Sequence, residues 1–125
     1  MPTDVSANVQ LVERFAEAFN RRDLDSLLAL CHQDIELNSP AGSLHGHDGA
    51  RQWALKQWEG STPVEVATDR ITEAGDDRVV QHGHLLFRWA ETGELAQDVP
   101  VKAEFTIAEG LVIRWEAGPT DDFKG

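Results

Sequence analysis

The chain contains no tyrosine, one cysteine and one methionine, and each shortage excludes something. Without tyrosine, no phenol is present to act as an acid or oxyanion donor. The single thiol, Cys31, rules out an internal disulfide framework, which fits a reducing compartment. Cationic side chains are scarce too: 11 Lys and Arg stand against 22 Asp and Glu, for a formal net charge of -11. The averaged field of such a surface repels phosphate backbones and anionic lipid, so neither nucleic acid nor membrane is an expected partner. Long apolar runs are missing as well. The longest, "LLALC" at Leu27 to Cys31, is far short of a membrane span, and "MPTDVSANVQ" has neither the basic flank nor the apolar core of a secretory signal. The expectation is a soluble, cytoplasmic protein. Its 125 residues suit one domain over 1–125, with a core over about 8–118 and a short C-terminal tail.

What is present is clear periodicity. Val9, Val12, Phe15, Ala16 and Phe19 recur at helical spacing after Ser6, which predicts an amphipathic helix over 7–20 with Ser6 as its N-cap. "NRRDLD" interrupts it. Asp23 is placed to cap a shorter helix in which Leu24, Leu27, Leu28 and Cys31 share a face. "DIEL" alternates as a short strand stopped by Pro40 and Gly42. "GHDGARQWALKQWEG" then reads as a third helix, capped by Asp48 and ended by Gly60. Four strand-like segments follow, Val64 to Thr72, Val79 to Ala90, Val99 to Ala108 and Leu111 to Ala117, separated by short turns. Helices first and an antiparallel meander after them predict an α+β fold, a sheet with helices on one face.

Alternation assigns the faces. Val99, Val101, Ala103, Phe105 and Ile107 point one way, and Leu85, Phe87 and Trp89 belong to the same helix-covered side. A three-residue turn at Ala108, Glu109 and Gly110 would pair Ile107 with Leu111, Phe105 with Ile113, Ala103 with Trp115 and Val101 with Ala117. His82, His84, Leu86 and Arg88 fall on the opposite, outer face.

The order of helix, "NRRDLDSLLALCHQDIELNSPAGS", helix, long strands and closing "EGLVIRWEAG" resembles the nuclear transport factor 2-like superfamily, in particular its SnoaL-like polyketide cyclase and ketosteroid isomerase branches. The resemblance covers about Asn8 to Phe123. It implies a cone-shaped, curved, mostly antiparallel sheet wrapped around three N-terminal helices, a cystatin-like α+β barrel enclosing an apolar pocket. It also implies a homodimer through the outer sheet face. It is weak for any activity, because the fold hosts enzymes, binding proteins and interaction modules alike.

The functional positions of those relatives carry over one by one. The aspartate base that precedes a Pro-x-Gly turn falls on Ser39, and the first-helix tyrosine falls on Phe15. The strand position that holds an aspartate or histidine falls on Ala103, and the closing-strand aspartate falls on Ala117. None of the four can supply the expected acid, base or oxyanion donor unaided. A relocated base would have to come from Glu116, Glu36, His45 or His84. A bulge near Gly118 would be needed to turn Glu116 inward, since alternation places it outside. His82 and His84 lie two apart on a strand without a third ligand, so no metal site and no cofactor are expected.

The leading expectation is therefore a binding pocket. Its walls would comprise Phe15, Trp53, Leu85, Phe87 and Trp89 with Ala103, Phe105, Trp115 and Ala117, and Asn38 and Ser39 would orient the guest. The expected partner is a small apolar or aromatic molecule. The alternative is an isomerase, polyketide cyclase or hydratase with a relocated base. A third reading is an interaction module using His84, Leu86, Lys102 and Glu104, and the acidic Asp121 and Asp122 are candidates to close over the cone.

Overall fold

The computed structural model describes residues 7–39 and 42–119, apart from the Pro119 side chain. Ser6, Pro40, Asp121 and Asp122, to which the sequence assigns roles, lie outside those residues. Helix α1 spans Ala7–Arg21 and buries Leu11, Val12, Phe15, Ala18 and Phe19, a stripe with the spacing of a core-facing helix. The interruption that follows has a defined geometry. Arg22 takes a left-handed φ of 58°, its N–H donates to the Phe19 carbonyl at 3.1 Å, and the Asp23 N–H donates to that of Ala18 at 3.0 Å. These two bonds close the carbonyl end of α1 in a Schellman arrangement. Asp23 then accepts from the Ser26 N–H at 3.2 Å and starts α2, Leu24–Ala29. Hydrogen bonds from Ser26 hold the Asp23 carboxyl below its ordinary pKa.

Strand β1, Cys31–Ser39, is longer than "DIEL" and includes Cys31, which the helical spacing had placed on α2. Helix α2 ends at Ala29 because Leu30 is already its C-cap. Cys31 is buried and its Sγ donates to the Leu27 carbonyl at 3.3 Å, so burial pushes the thiol up to about 12. A four-residue strand β2, Gly42–His45, pairs antiparallel with β1; its two small leading residues gave no alternation to read. Helix α3, Gly46–Trp58, follows directly, and its N-cap is His45 rather than Asp48, which sits in the first turn.

The remaining strands are β3 (Val64–Glu73), β4 (Arg78–Arg88), β5 (Leu95–Ala108) and β6 (Leu111–Pro119). All six form one sheet in the order β2-β1-β6-β5-β4-β3, antiparallel except for β1 beside β6. The architecture is α+β, with the curved sheet packed on its inner face against the three helices. No described helix is long and apolar enough to cross a membrane.

The β5–β6 register differs from the three-residue turn. Ala108 pairs with Leu111 across a two-residue turn. Glu109 and Gly110 have φ values of 56° and 76°, the pair of positive values that a type I′ turn requires. A bulge beyond Thr106 and Ile107 then absorbs one residue of β6, so Phe105 faces Trp115 and Ala103 faces Ala117. The net displacement is two residues. That preserves parity, and Trp115 and Ala117 keep the inner face to which alternation assigned them.

Two close approaches fix the far edge. Gly83 on β4 lies so near β3 that a Cβ there would sit 2.1 Å from the Ala67 carbonyl oxygen. Asn20, near the end of α1, donates to the Val66 carbonyl and accepts from the Val66 N–H, each at 2.8 Å. The Asn of the "NRRDLD" stretch therefore docks α1 onto the edge strand.

Candidate functional site

A cavity of about 280 Å³ lies between the inner face of the sheet and helices α1 and α3. Its origin is a difference between neighbouring rows of side chains across the sheet. One row, Val79, Phe105, Trp115 and Leu37, is bulky throughout. The adjacent row runs Gln81, Ala103, Ala117, with Ser39 one residue beyond the Asn38–Glu116 pair. Two methyl groups there leave room that the neighbouring row fills. The helices supply an aromatic roof. Trp53 lies 4.9 Å from Trp115 and 5.3 Å from Phe19 between ring centroids, and Phe15 meets Phe105 edge-on at 5.3 Å. These are favourable separations for tilted and edge-to-face rings.

The wall is apolar except at Ser39, Gln57 and Gln81, and among the described residues it has no Asp, Glu, His, Lys, Arg or Cys. Gln81, only 6 % exposed, donates through Nε2 to the Thr68 hydroxyl at 2.8 Å. The Ser39 hydroxyl donates to the Gly42 carbonyl at 3.4 Å. No group of three His, Cys, Asp or Glu suited to a metal occurs among the described residues.

Of the residues singled out from sequence, Phe15, Ser39, Trp53, Leu85, Ala103, Phe105, Trp115 and Ala117 line this cavity. Three do not. Asn38 alternates away from Leu37 and Ser39, and its Oδ1 accepts from the Ser43 hydroxyl at 2.6 Å. Phe87 packs against the core at the edge of the cluster, outside the cavity wall. Trp89 lies beyond the end of β4 and is 48 % exposed.

The candidate bases are also elsewhere. Glu116 is exposed, 3.8 Å from Arg114, between two inward residues of β6. Glu36 is half-buried on β1, paired with Arg114 and His45, and His45 is exposed at the start of α3. His84 lies on the outer face between two carboxylates, with Nδ1 2.6 Å from Asp98 and Nε2 3.3 Å from Asp69. Its neighbour His82 has a sealed Nδ1 without a partner. Burial, then Arg70 and Lys102, lower its pKa, and Asp69 opposes them.

Several wall residues escaped the sequence reading. Ala16 and Phe19 extend the Phe15 face of α1, Gln57 lies one turn beyond Trp53, and Gln81 shares its parity with Leu85. Those spacings were readable, whereas the contributions of Pro100 and Gly118 depend on how the strand ends curve.

A family model described as the SnoaL-like domain matches residues 12–115. No curated protein matches the chain. Among solved structures, a nuclear transport factor 2-like protein of unknown function from Burkholderia pseudomallei superposes with a TM-score of 0.76 at 24% identity, covering 95% of each chain. A candidate SnoaL-like polyketide cyclase from Jannaschia sp. CCS1 gives 0.76 at 22% identity, covering 94% of this chain and 90% of its own. TerC, crystallised with polyporic acid, gives 0.75 at 23% identity over 94% of this chain and 95% of its own. At such identities the likeness is one of fold.

Proposed function

The chain belongs to the SnoaL-like domain family, and from that premise we propose that it binds a small apolar or aromatic molecule in its cavity without transforming it. The observation that carries this reading is an aromatic cavity whose described wall bears no titratable side chain. General acid–base catalysis by a side chain uses an imidazole, carboxylate, amine, phenol or thiol within hydrogen-bond reach of the substrate, and the described wall carries none of them. The four inherited positions hold Phe15, Ser39, Ala103 and Ala117. The TerC complex supports the reading as an example of this fold crystallised with an organic molecule.

Size gives a scale for the affinity. The cavity is roughly twice the volume of one that accepts benzene. A guest burying ~250 Å² of apolar surface gains about 6 kcal/mol, equivalent to a Kd of tens of micromolar before ordering costs. Ligand at ten times its Kd stabilises the fold by about 1.4 kcal/mol, a rise in Tm of roughly 5 °C. A thermal-shift screen of apolar aromatics, run beside proton-exchange assays with steroid enones and polyketide esters, tests the reading. Rapid isomerisation or cyclisation would defeat it.

The competing reading is an isomerase, cyclase or hydratase, and it draws on structural neighbours named as candidate polyketide cyclases. It needs Glu116, Glu36, His45 or His84 to reach the substrate, and none of them is on the wall. The proposal extends to self-association through the outer sheet face around His84, Leu86, Lys102 and Glu104. Sedimentation that returns only monomer at micromolar concentration would remove that part.

A further inference from the structure

Resting on the binding reading above, we propose that the cavity selects an uncharged aromatic molecule bearing a hydroxyl group, and that Gln81 determines this preference. Three observations converge. First, the described wall offers no cation to neutralise an anion and no carboxylate to pair with a cation. A charged guest would lose its hydration without compensation. The chain's net charge of -11 further disfavours anions.

Second, Gln81 is the one buried polar side chain among the described residues, and it sits on this wall. One end of its amide is held by Thr68. Gln81 lines the cavity, so the end that Thr68 does not hold is the one that would meet a guest. Because the Thr68 hydroxyl both donates and accepts, the amide can be held by either end, presenting its oxygen or its nitrogen. A hydroxyl on the guest, itself donor and acceptor, satisfies both orientations. Third, Gln81 is flanked in its row by Ala103, followed by Ala117, so the space beside the amide is where the wall is thinnest. A guest's polar edge reaches Gln81 there while its ring lies under Trp53 and Phe15.

The test uses three probes of one ring size: naphthalene, 2-naphthol and 2-naphthoate, titrated calorimetrically at pH 7 into the full chain. The expected order is 2-naphthol tighter than naphthalene by about five- to tenfold, the gain of one buried hydrogen bond. Naphthoate should be at least tenfold weaker than naphthalene. Gln81→Leu should remove the advantage of the naphthol, read as the ratio of the naphthol and naphthalene Kd values within the same variant falling to about one. Gln81→Met, closer in shape, provides the same comparison if the leucine variant melts early. Naphthoate binding as tightly as naphthol, or a naphthol preference surviving in both variants, overturns the selectivity while leaving the binding function intact. Failure of all three probes to bind overturns both.

Discussion

Enlarging a residue on the cavity floor should stabilise this protein, contrary to the usual effect of overpacking. Ala103 is 3 % exposed and lines the void, so Ala103→Val adds two methyl groups to empty space. At ~0.8 kcal/mol per buried carbon the upper limit is about 1.6 kcal/mol, and a compact unfolded state lowers it toward 1 kcal/mol. Valine also suits a strand better than alanine. A chain of this length should gain roughly 4–6 °C in Tm. Val112→Ile is the control. Val112 is fully buried and absent from the cavity wall, so one added methylene there should cost about 1–3 kcal/mol. Urea melts of both variants read the two signs directly, and titration of an apolar aromatic should show at least tenfold weaker binding to Ala103→Val. If Ala103→Val lost 1 kcal/mol or more, as Val112→Ile is expected to, the floor would already be packed and the void between the alanine row and the helices would not stand.

Three other expectations follow from the fold. Gly83→Ala should destabilise by about 3 kcal/mol or more, since its methyl would meet the backbone oxygen of Ala67 rather than a movable side chain; a loss under 1 kcal/mol in urea would contradict that approach. Asn20→Ala should cost about 1–2 kcal/mol and accelerate hydrogen exchange at the Val66 amide, and unchanged exchange would mean the clamp is idle. His82 has a lowered pKa in the folded chain, so below about pH 6.5 the unfolded state takes up its proton first and stability falls with pH. His82→Leu should show a smaller drop in Tm between pH 7.5 and pH 5, and an equal drop would assign the acid sensitivity elsewhere.

The sequence revealed those parts of the fold that local period controls. The helical spacing of Val9, Val12, Phe15, Ala16 and Phe19 and the alternation from Val99 to Ile107 each impose one face. The structure buries Val12, Phe15 and Phe19 together with Leu11 and Ala18, and Val101, Ala103, Phe105 and Ile107, and leaves Val9, Ala16 and Val99 half-buried at the margins. Asp23 reads as a cap because a short acceptor preceding a leucine pattern has few other uses. Closure of the sheet was less visible. β1 beside β6 joins segments some eighty residues apart, and no local pattern announces a parallel pairing. The turn at Glu109 and Gly110 misled by one residue because the positive φ falls on a glutamate as well as on the glycine. The cavity was partly legible. Alternation from Ile35 and Leu37 already favoured Ser39 over Asn38, whereas Trp89 shared the right parity but lay past the last paired residues of β4. Gln81 was hard to single out because β4 also carries His82, His84 and Arg88, and a polar residue among them resembles surface until its neighbours are placed.

The Asn20 clamp also bears on what the protein avoids. Strand β3 ends the sheet, and an uncovered edge is a template on which another chain can add a strand. By offering Val66 both a donor and an acceptor, the Asn20 amide imitates the backbone of that missing neighbour and occupies its place. Glu65, Asp69, Arg70 and Glu73 charge the rest of the same edge. A single side chain at the end of α1 thereby helps keep separate copies of the chain from growing into one continuous sheet, a protection that matters most when the protein is concentrated or partly unfolded.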